Sequence, residues 1–249
     1  YIYLLDNELK EIFSLFIQNI LEEVEQCITE NEAITKSLNI VSKWKKLFDK
    51  INFNGLSLEQ QKGLIGELIF LNFLLNQAKT TTKALEAWTS KELDFQAKDF
   101  TIDSIGVESK FTTSKQPGIK VSNERQLDSE NLTNLFLVLY STEAVKDNGI
   151  SLNSIVEQTR QTFKTEEDLN IFNGKLQQYG YFDHDKDYYN SMYSIKKTFC
   201  FEIEEEFPKI VKDQLPLGIY DTAYSIEISA VEKMIGKKYG ISRHNFRHI

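Results

Sequence analysis

The chain has 249 residues, a hydrophobic content of 41% and a formal net charge of -8. That content can bury a full core, whereas the acidic charge argues against a broad non-specific grip on DNA, because such binding depends on neutralising phosphates. The two cysteines, Cys27 and Cys200, give neither a disulfide framework nor a zinc-ligand spacing. No signal peptide and no apolar run long enough to cross a bilayer are found, so we expect a cytoplasmic protein with no membrane partner.

Residues 1–56 are predicted to form an N-terminal helical extension. Apolar residues recur at helical spacing across residues 6–30, and a second helix follows with Trp44 on its apolar face. The first residue is Tyr1 rather than Met, so we also expect a further N-terminal portion, of which residues 1–5 would be the last strand.

A single charge, Glu67, interrupts the apolar run of residues 63–75. Residues 57–60 fit a capping box and predict the start of this helix. Because a carboxylate is costly to desolvate unless it is paired or bound to metal, Glu67 is predicted to face the core or the floor of a cleft. A buried salt bridge and a half-exposed helix edge are the alternatives. Gly63 and Gly66 weaken the helix, which is tolerable if they allow another backbone to come close.

Short strands are predicted after this helix. Residues 85–88 suggest one, and residues 93–97 alternate apolar and polar, which places Asp94 on the opposite face from its neighbours. Residues 98–99 are predicted to turn the chain into the next strand, over residues 100–105. Asp94 therefore lies upstream of a strand hairpin, exposed on one strand face.

The strand over residues 107–111 places Glu108 and Lys110 on one face, because side chains alternate in a strand. One face of one strand thus presents an anionic metal ligand and, two residues on, a cation. The same sequence pattern, Glu-x-Lys, recurs at residues 8–10, but there it is predicted to lie on a solvated helix face. The interpretation therefore depends on the strand context and on the upstream Asp94.

This set of residues is suited to metal-assisted phosphodiester chemistry. Asp94 and Glu108, with the Ser109 carbonyl, could bind Mg²⁺ through oxygen ligands, and such a metal activates water and stabilises charge on a phosphate. Lys110 would orient or deprotonate the attacking water. Glu67 would complete the first metal site or recruit a second ion.

The same residues resemble the PD-(D/E)XK nuclease superfamily, whose core is a helix, a three- or four-stranded mixed sheet and a further helix. In this resemblance Asp94 matches the family aspartate, and Glu108 and Lys110 match the acid and the lysine. Glu67 matches the acid that many members carry on the first core helix. The resemblance implies an α/β, restriction-endonuclease-like core with flanking helices over residues 57–232, after the helical extension.

The chain is also similar to uncharacterised PD-(D/E)XK proteins of bacterial restriction and phage-defence gene clusters. The similar segments are residues 63–71, 87–88, 94–95, 107–110, 122, 125–127 and 224–226. One departure is Leu93, which stands where the family has a proline before its aspartate. The resemblance implies a Mg²⁺-dependent, type II restriction-like endonuclease acting on double-stranded DNA, in which Mn²⁺ would substitute for Mg²⁺.

Two other functions stay open. The first is a catalytically inactive DNA-binding or scaffolding subunit of the same fold in a defence complex. The second is a metal-dependent hydrolase of small phosphoesters. The resemblance further implies a homodimer or a subunit of a multi-protein assembly, with a methyltransferase or ATPase partner.

Residues after the core strands are candidates for DNA contact. Residues 119–122 predict a strand and residues 123–127 a short helix. By the resemblance, Gln126 would position water or phosphate, although an exposed turn of ordinary polar residues is an equal alternative. The predicted DNA contacts are Lys115, Lys120, Ser122, Arg125 and Gln126. The basic tail over residues 233–249 could add to them or simply be a solubilising terminus.

The rest of the chain is predicted to be scaffold. The apolar run of residues 135–140 indicates a buried strand. Residues 151–163 and 165–179 indicate two helices, begun by Ser151 and Thr165. Further strands are predicted over residues 192–204 and 223–229.

Overall fold

The computed structural model of the protein describes residues 10–50, 55–77, 80–89, 98–113 and 118–232. The chain divides into two compact units, Tyr1–Phe53 and Asn54–Ile249. Four predictions fall outside the described residues: the strand over residues 1–5, the strand that includes Asp94, the DNA contact at Lys115, and the basic tail. Within the described part of the chain, no helix has both the length and the apolar character needed to cross a membrane.

The first unit contains two helices, α1 (Lys10–Val24) and α2 (Glu30–Lys50). Phe16 is buried and meets the ring of Trp44 edge-on, with 5.5 Å between the ring centroids. The Trp44 indole also donates a hydrogen bond to Asn19 Oδ1 at 3.2 Å. A new helix begins after Thr29, whose hydroxyl accepts from the Glu32 N–H at 3.3 Å. The predicted N-terminal helices are confirmed, with a break between them.

The second unit combines helices and strands. Its described strands are β1 (Phe100–Ile102), β2 (Ile105–Thr112), β3 (Gly118–Val121), β4 (Asn134–Val145), β5 (Met192–Glu202) and β6 (Tyr224–Glu227). Its described helices are α3 (Leu58–Gln77), α4 (Thr81–Ala87), α5 (Leu152–Arg160), α6 (Glu166–Gln178) and α7 (Ile228–Glu232).

Four strands form a mixed sheet in the order β1-β2-β4-β5. The β1–β2 and β4–β5 pairs are antiparallel, and the β2–β4 pair is parallel. Parallel neighbours require a crossover connection, and residues 113–133 provide it. Within this crossover, β3 pairs with β6 to make a second, antiparallel sheet.

The four-stranded sheet has a hydrophobic cluster on each face. On one face Val138, Tyr140 and Cys200 pack with buried residues of α3, α4, α5 and α6. On the other face Leu137 and Phe201 pack with residues of β3, β6 and α7. Both faces of β4 are therefore covered, which explains its continuous apolar run. These layers confirm the predicted α/β class with a mixed central sheet and flanking helices.

Helix starts follow the local sequence. The Ser57 hydroxyl accepts from Gln60 N–H at 3.3 Å, and the Gln60 side chain accepts from Ser57 N–H at 3.0 Å, so the predicted capping box is confirmed. Ser151 caps α5 and Thr165 caps α6, as expected. These starts fix the two later helices that cover the sheet.

Three local predictions are wrong. Residues 85–87 belong to helix α4, which Thr80 caps, and Trp88 forms an isolated bridge with Phe100. The strand predicted over residues 100–105 ends at Ile102, because residues 103–104 form the hairpin turn and Asp103 adopts the left-handed backbone conformation there. Residues 124–127 form a turn rather than a short helix.

Candidate active site

The β1–β2 hairpin brings two buried carboxylates together. Phe100 pairs with Val107, and Asp99 comes just before Phe100 while Glu108 comes just after Val107. Both residues are 3% exposed. Asp99 Oδ2 accepts a hydrogen bond from the Ser109 N–H at 2.8 Å, which holds its carboxylate against β2. The hairpin therefore anchors the Asp99 carboxylate to the residue next to Glu108.

Lys110 lies beside Glu108 on the same face of β2, as its spacing predicts. Its Nζ is 3.0 Å from Glu108 Oε1 and donates to Gln126 Oε1, also at 3.0 Å. Gln126 Oε1 accepts in addition from the Ser122 N–H at 2.8 Å. The structure thus brings Glu108, Lys110, Ser122 and Gln126 into one connected group. Lys110 stands at its solvent side, since its side chain is more exposed than that of Glu108.

A second lysine, Lys98, lies next to the group formed by Glu108, Lys110, Ser122 and Gln126. It is 7% exposed, and its Nζ donates to the carbonyls of Arg125 and Gln126 at 2.5 and 3.1 Å. Burial lowers the pKa of Lys98, and the nearby carboxylates of Glu108 and Asp99 oppose that shift. Two lysines and two carboxylates therefore balance one another in charge, as buried ionic groups must.

Glu67 on α3 lies in a separate aromatic setting. It is 1% exposed, and its Oε2 accepts from the Trp88 indole at 2.9 Å and from the Tyr179 hydroxyl. Burial raises the pKa of Tyr179 well above its ordinary value, and the charges of Glu67 and Asp99 raise it further. The Asp99 carboxylate also favours the charged form of Lys98, so Asp99 lies within electrostatic range of both Tyr179 and Lys98. The prediction that Glu67 faces the interior is confirmed.

Gly66 explains how closely α3 approaches β2. A Cβ at this position would lie 3.1 Å from Ser109 Oγ and 3.3 Å from Phe111 Cβ. The helix therefore rests on the face of β2 opposite to Glu108 and Lys110. Gly63 has no such contact, because nothing lies within 4 Å of a Cβ built there. It lines a pocket of about 430 Å³ beside Glu67 instead.

The remaining predicted site residues are spread more widely. Asp94 and Lys115 lie outside the described residues. Lys120 is exposed on β3, and Arg125 lies in the turn next to Gln126. Over the described ranges, no group of three or more His, Cys, Asp or Glu side chains could hold a metal ion.

Sequence reasoning missed Asp99 as a candidate, along with its neighbour Lys98. A polar pair between two strand-like segments is typical of a turn, and turns are usually exposed, so the sequence gives no sign that both residues are buried.

Similarity to known proteins now bears on this arrangement. A family model described as "Putative PD-(D/E)XK family member, (DUF4420)" matches residues 1–229. The chain belongs to the DUF4420 family. The match spans both the N-terminal helices and the sheet, and it confirms the predicted superfamily. The mixed sheet flanked by helices is consistent with a restriction-endonuclease-like fold. No curated protein and no solved structure matches the chain.

DUF4420 membership suggests a nuclease and gives the hairpin carboxylates a chemical context. Nucleases of the PD-(D/E)XK type combine an aspartate, a second acid and a lysine, and the described residues offer Asp99, Glu108 and Lys110 in that relation. Asp94 remains the aspartate predicted from the sequence pattern. Asp94 and Asp99 are therefore both candidates for the family aspartate, and mutagenesis distinguishes them.

Proposed function

We propose that this DUF4420 protein is a Mg²⁺-dependent endonuclease that hydrolyses DNA phosphodiester bonds, with Mn²⁺ able to replace Mg²⁺. The observation that supports this proposal most directly is the location of the buried carboxylates Asp99 and Glu108 beside one hairpin, with Asp99 bound to the Ser109 N–H and Lys110 3.0 Å from Glu108. Family membership supports the same reaction class.

The donor set suits a hard divalent cation. Asp99 and Glu108 offer carboxylate oxygens beside the same hairpin, and Mg²⁺ prefers oxygen ligands from one or two carboxylates while keeping several waters. The Ser109 carbonyl and Asp94, both predicted from the sequence, would add to this set, whereas the Glu67 carboxylate is held by Trp88 and Tyr179. When bound, the metal would lower the pKa of a water and stabilise charge on the scissile phosphate.

The protein's own residues would orient the reactants. Lys110 holds its ammonium group between Glu108 and Gln126, where it can face an attacking water or a phosphate oxygen. The Gln126 amide oxygen is already occupied by Lys110 and by Ser122 N–H. Within the described part of the chain its amide nitrogen has no partner, so its N–H groups can donate to water or phosphate.

The biological setting that we propose follows from the sequence resemblance. It is a bacterial restriction-modification or phage-defence system in which the protein cuts double-stranded DNA in a type II restriction-like manner. A homodimer, or an assembly with a methyltransferase or ATPase, would bring two active sites to the two strands.

Plasmid cleavage tests the proposal. Supercoiled and linear plasmids, modified and unmodified, are incubated with Mg²⁺ or Mn²⁺ and the wild-type protein. Lys110→Ala is expected to abolish cutting while the protein still folds, which a cooperative thermal melt checks. Asp103→Asn is the matched control, because Asp103 is exposed at the hairpin turn and asparagine tolerates its backbone conformation.

The aspartates are compared in the same assay. Loss of cutting in Asp99→Asn but not in Asp94→Asn would assign the metal aspartate to the hairpin, and the reverse would assign it to the sequence pattern. Wild-type activity in Lys110→Ala would refute the proposed mechanism. The absence of metal binding by calorimetry would favour the inactive DNA-binding or scaffolding subunit, whereas metal binding without cleavage would point to a missing partner or activating signal.

A further inference from the structure

A small polar cavity lies next to the candidate active site. It has a volume of about 150 Å³, and the residues that matter for its chemistry are Lys98, Thr101, Arg125, Asp128, Glu130 and Lys212. At about 30 Å³ per water molecule, it holds ~5 waters, which is room for one phosphate group and little more. We call it the basic cavity.

Three cations reach the basic cavity from three separate segments. Lys98 precedes β1, Arg125 lies in the turn after β3, and Lys212 lies in a short helical turn after β5. Across the described residues, neither Arg125 nor Lys212 forms a salt bridge, although Arg125 lies close enough to Glu124 to lower the pKa of that carboxyl. By contrast, Arg160 pairs with both Glu157 and Asp183. Lys98 Nζ donates two of its three N–H groups to backbone carbonyls, which leaves one N–H for another acceptor.

Two acids also line the basic cavity and set its net charge. Asp128 is engaged within its own turn, where Oδ1 accepts from the Glu130 N–H at 3.0 Å. Glu130 is exposed to solvent. Lys98 also lies within electrostatic range of Glu108 and Asp99, so the charge available to a phosphate comes mainly from Arg125 and Lys212. The Thr101 hydroxyl adds an uncharged donor to the wall.

The basic cavity is coupled to the candidate active site by a short path. Lys98 is adjacent in sequence to Asp99, and its Nζ binds the backbone carbonyl of Gln126. The Gln126 side chain in turn accepts from Lys110. A group bound in the cavity would thus lie beside the hairpin that carries both carboxylates.

We propose that the basic cavity binds a non-scissile backbone phosphate of the nucleic acid, with Lys98, Arg125 and Lys212 as its cationic ligands. This inference rests on the proposed function, because it assumes a nucleic-acid substrate. It extends the DNA contact predicted at Arg125 to a site built from three segments. Such a contact positions the duplex and adds no sequence information.

The test measures binding without cleavage. A fluorescently labelled duplex oligonucleotide is titrated with protein in EDTA at several salt concentrations, and anisotropy gives Kd. Lys212→Ala and Arg125→Ala are each expected to weaken binding three- to ten-fold and to lower the salt slope by about one. Asp128→Asn should tighten binding, because it removes a negative charge and keeps an oxygen for the Glu130 N–H.

Lys164→Ala is the matched control. It removes an exposed lysine between α5 and α6, away from the basic cavity, and should change Kd less than two-fold. Thermal melting of every variant checks folding, and none of the mutated cavity side chains has a described structural partner except Asp128.

Separate arms identify the source of the phosphate. Competition by inorganic phosphate or a mononucleotide, without any duplex binding, would overturn the nucleic-acid assignment. Unchanged Kd and salt slope in Lys212→Ala and Arg125→Ala would also overturn it, as would a wild type that binds no duplex. Because cleavage is not measured, a failed nuclease proposal with intact, cavity-dependent duplex binding would be recognised separately.

Discussion

Tyr179→Phe removes the hydroxyl that donates to buried Glu67. The ring can remain stacked on Trp88, from which it is separated by 5.3 Å at an interplanar angle of 20°. The main loss is therefore one hydrogen bond to a charged, desolvated group, which contributes about 1.5–3 kcal/mol. Part of this is offset because the phenol hydroxyl no longer has to be desolvated. We expect the free energy of unfolding to fall by about 2 kcal/mol.

Urea unfolding at pH 7 measures this change. The chain has two tryptophans, so a Trp44→Phe background leaves Trp88 as the fluorescent reporter of the second unit. At an m-value of about 2 kcal/mol per M, the midpoint should fall by ~1 M with no change in m.

The matched control is Tyr220→Phe, since Tyr220 is 77% exposed and should change the free energy of unfolding by less than about 0.5 kcal/mol. A similarly small effect for Tyr179→Phe would refute the reasoning. It would show that the hydroxyl does not stabilise the Glu67 carboxylate in the folded protein.

Three further outcomes follow from single sites. Gly106→Ala should destabilise the protein by about 1–3 kcal/mol in thermal melts, because its Cβ would lie 2.7 Å from Leu132 Cδ1, and an unchanged melting temperature would contradict the packing. Burial raises the pKa of Cys200 to about 11, so at pH 8 its native-state alkylation should be at least ~10-fold slower than that of partly exposed Cys27, and equal rates would refute this. A threonine hydroxyl hydrogen bond lowers the pKa of Asp168, so its stabilisation is present above the ordinary carboxyl pKa and lost as pH falls through the lower folded value. Asp168→Asn should therefore be less stable than wild type at pH 7 by urea unfolding, with a gap that narrows below pH 4, and a constant gap would contradict it.

Sequence alone predicted the elements whose signals are local. The capping residues Ser57, Ser151 and Thr165 each begin a helix because the hydrogen bonds that they make reach only three residues along the chain. The apolar run over residues 135–140 predicts a strand buried on both faces, because such a strand has apolar side chains at every position and not at every second one. Glu108 and Lys110 were placed on one face by strand alternation alone.

The failures occurred where tertiary contacts decide between local alternatives. Residues 85–88 are short and apolar, and periodicity cannot distinguish a strand from one side of a buried helix over such a length. Asp99 was missed because a polar pair next to a strand predicts an exposed turn, whereas its burial depends on the tertiary contact of its carboxylate with the Ser109 N–H. The aromatic partners of Glu67 were unpredictable, since Trp88 and Tyr179 lie 21 and 112 residues away in sequence.

The pairing of β3 with β6 has a practical consequence for shortening the protein. β6 lies about a hundred residues after β3, yet it supplies the described strand partner for the segment that leads into Ser122 and Gln126. A chain cut just before Tyr224 would keep every candidate catalytic residue and lose the edge on which their supporting turn is anchored. A truncation chosen only to include the acidic residues and the lysine would therefore keep those side chains but remove the strand that supports the turn holding Ser122 and Gln126.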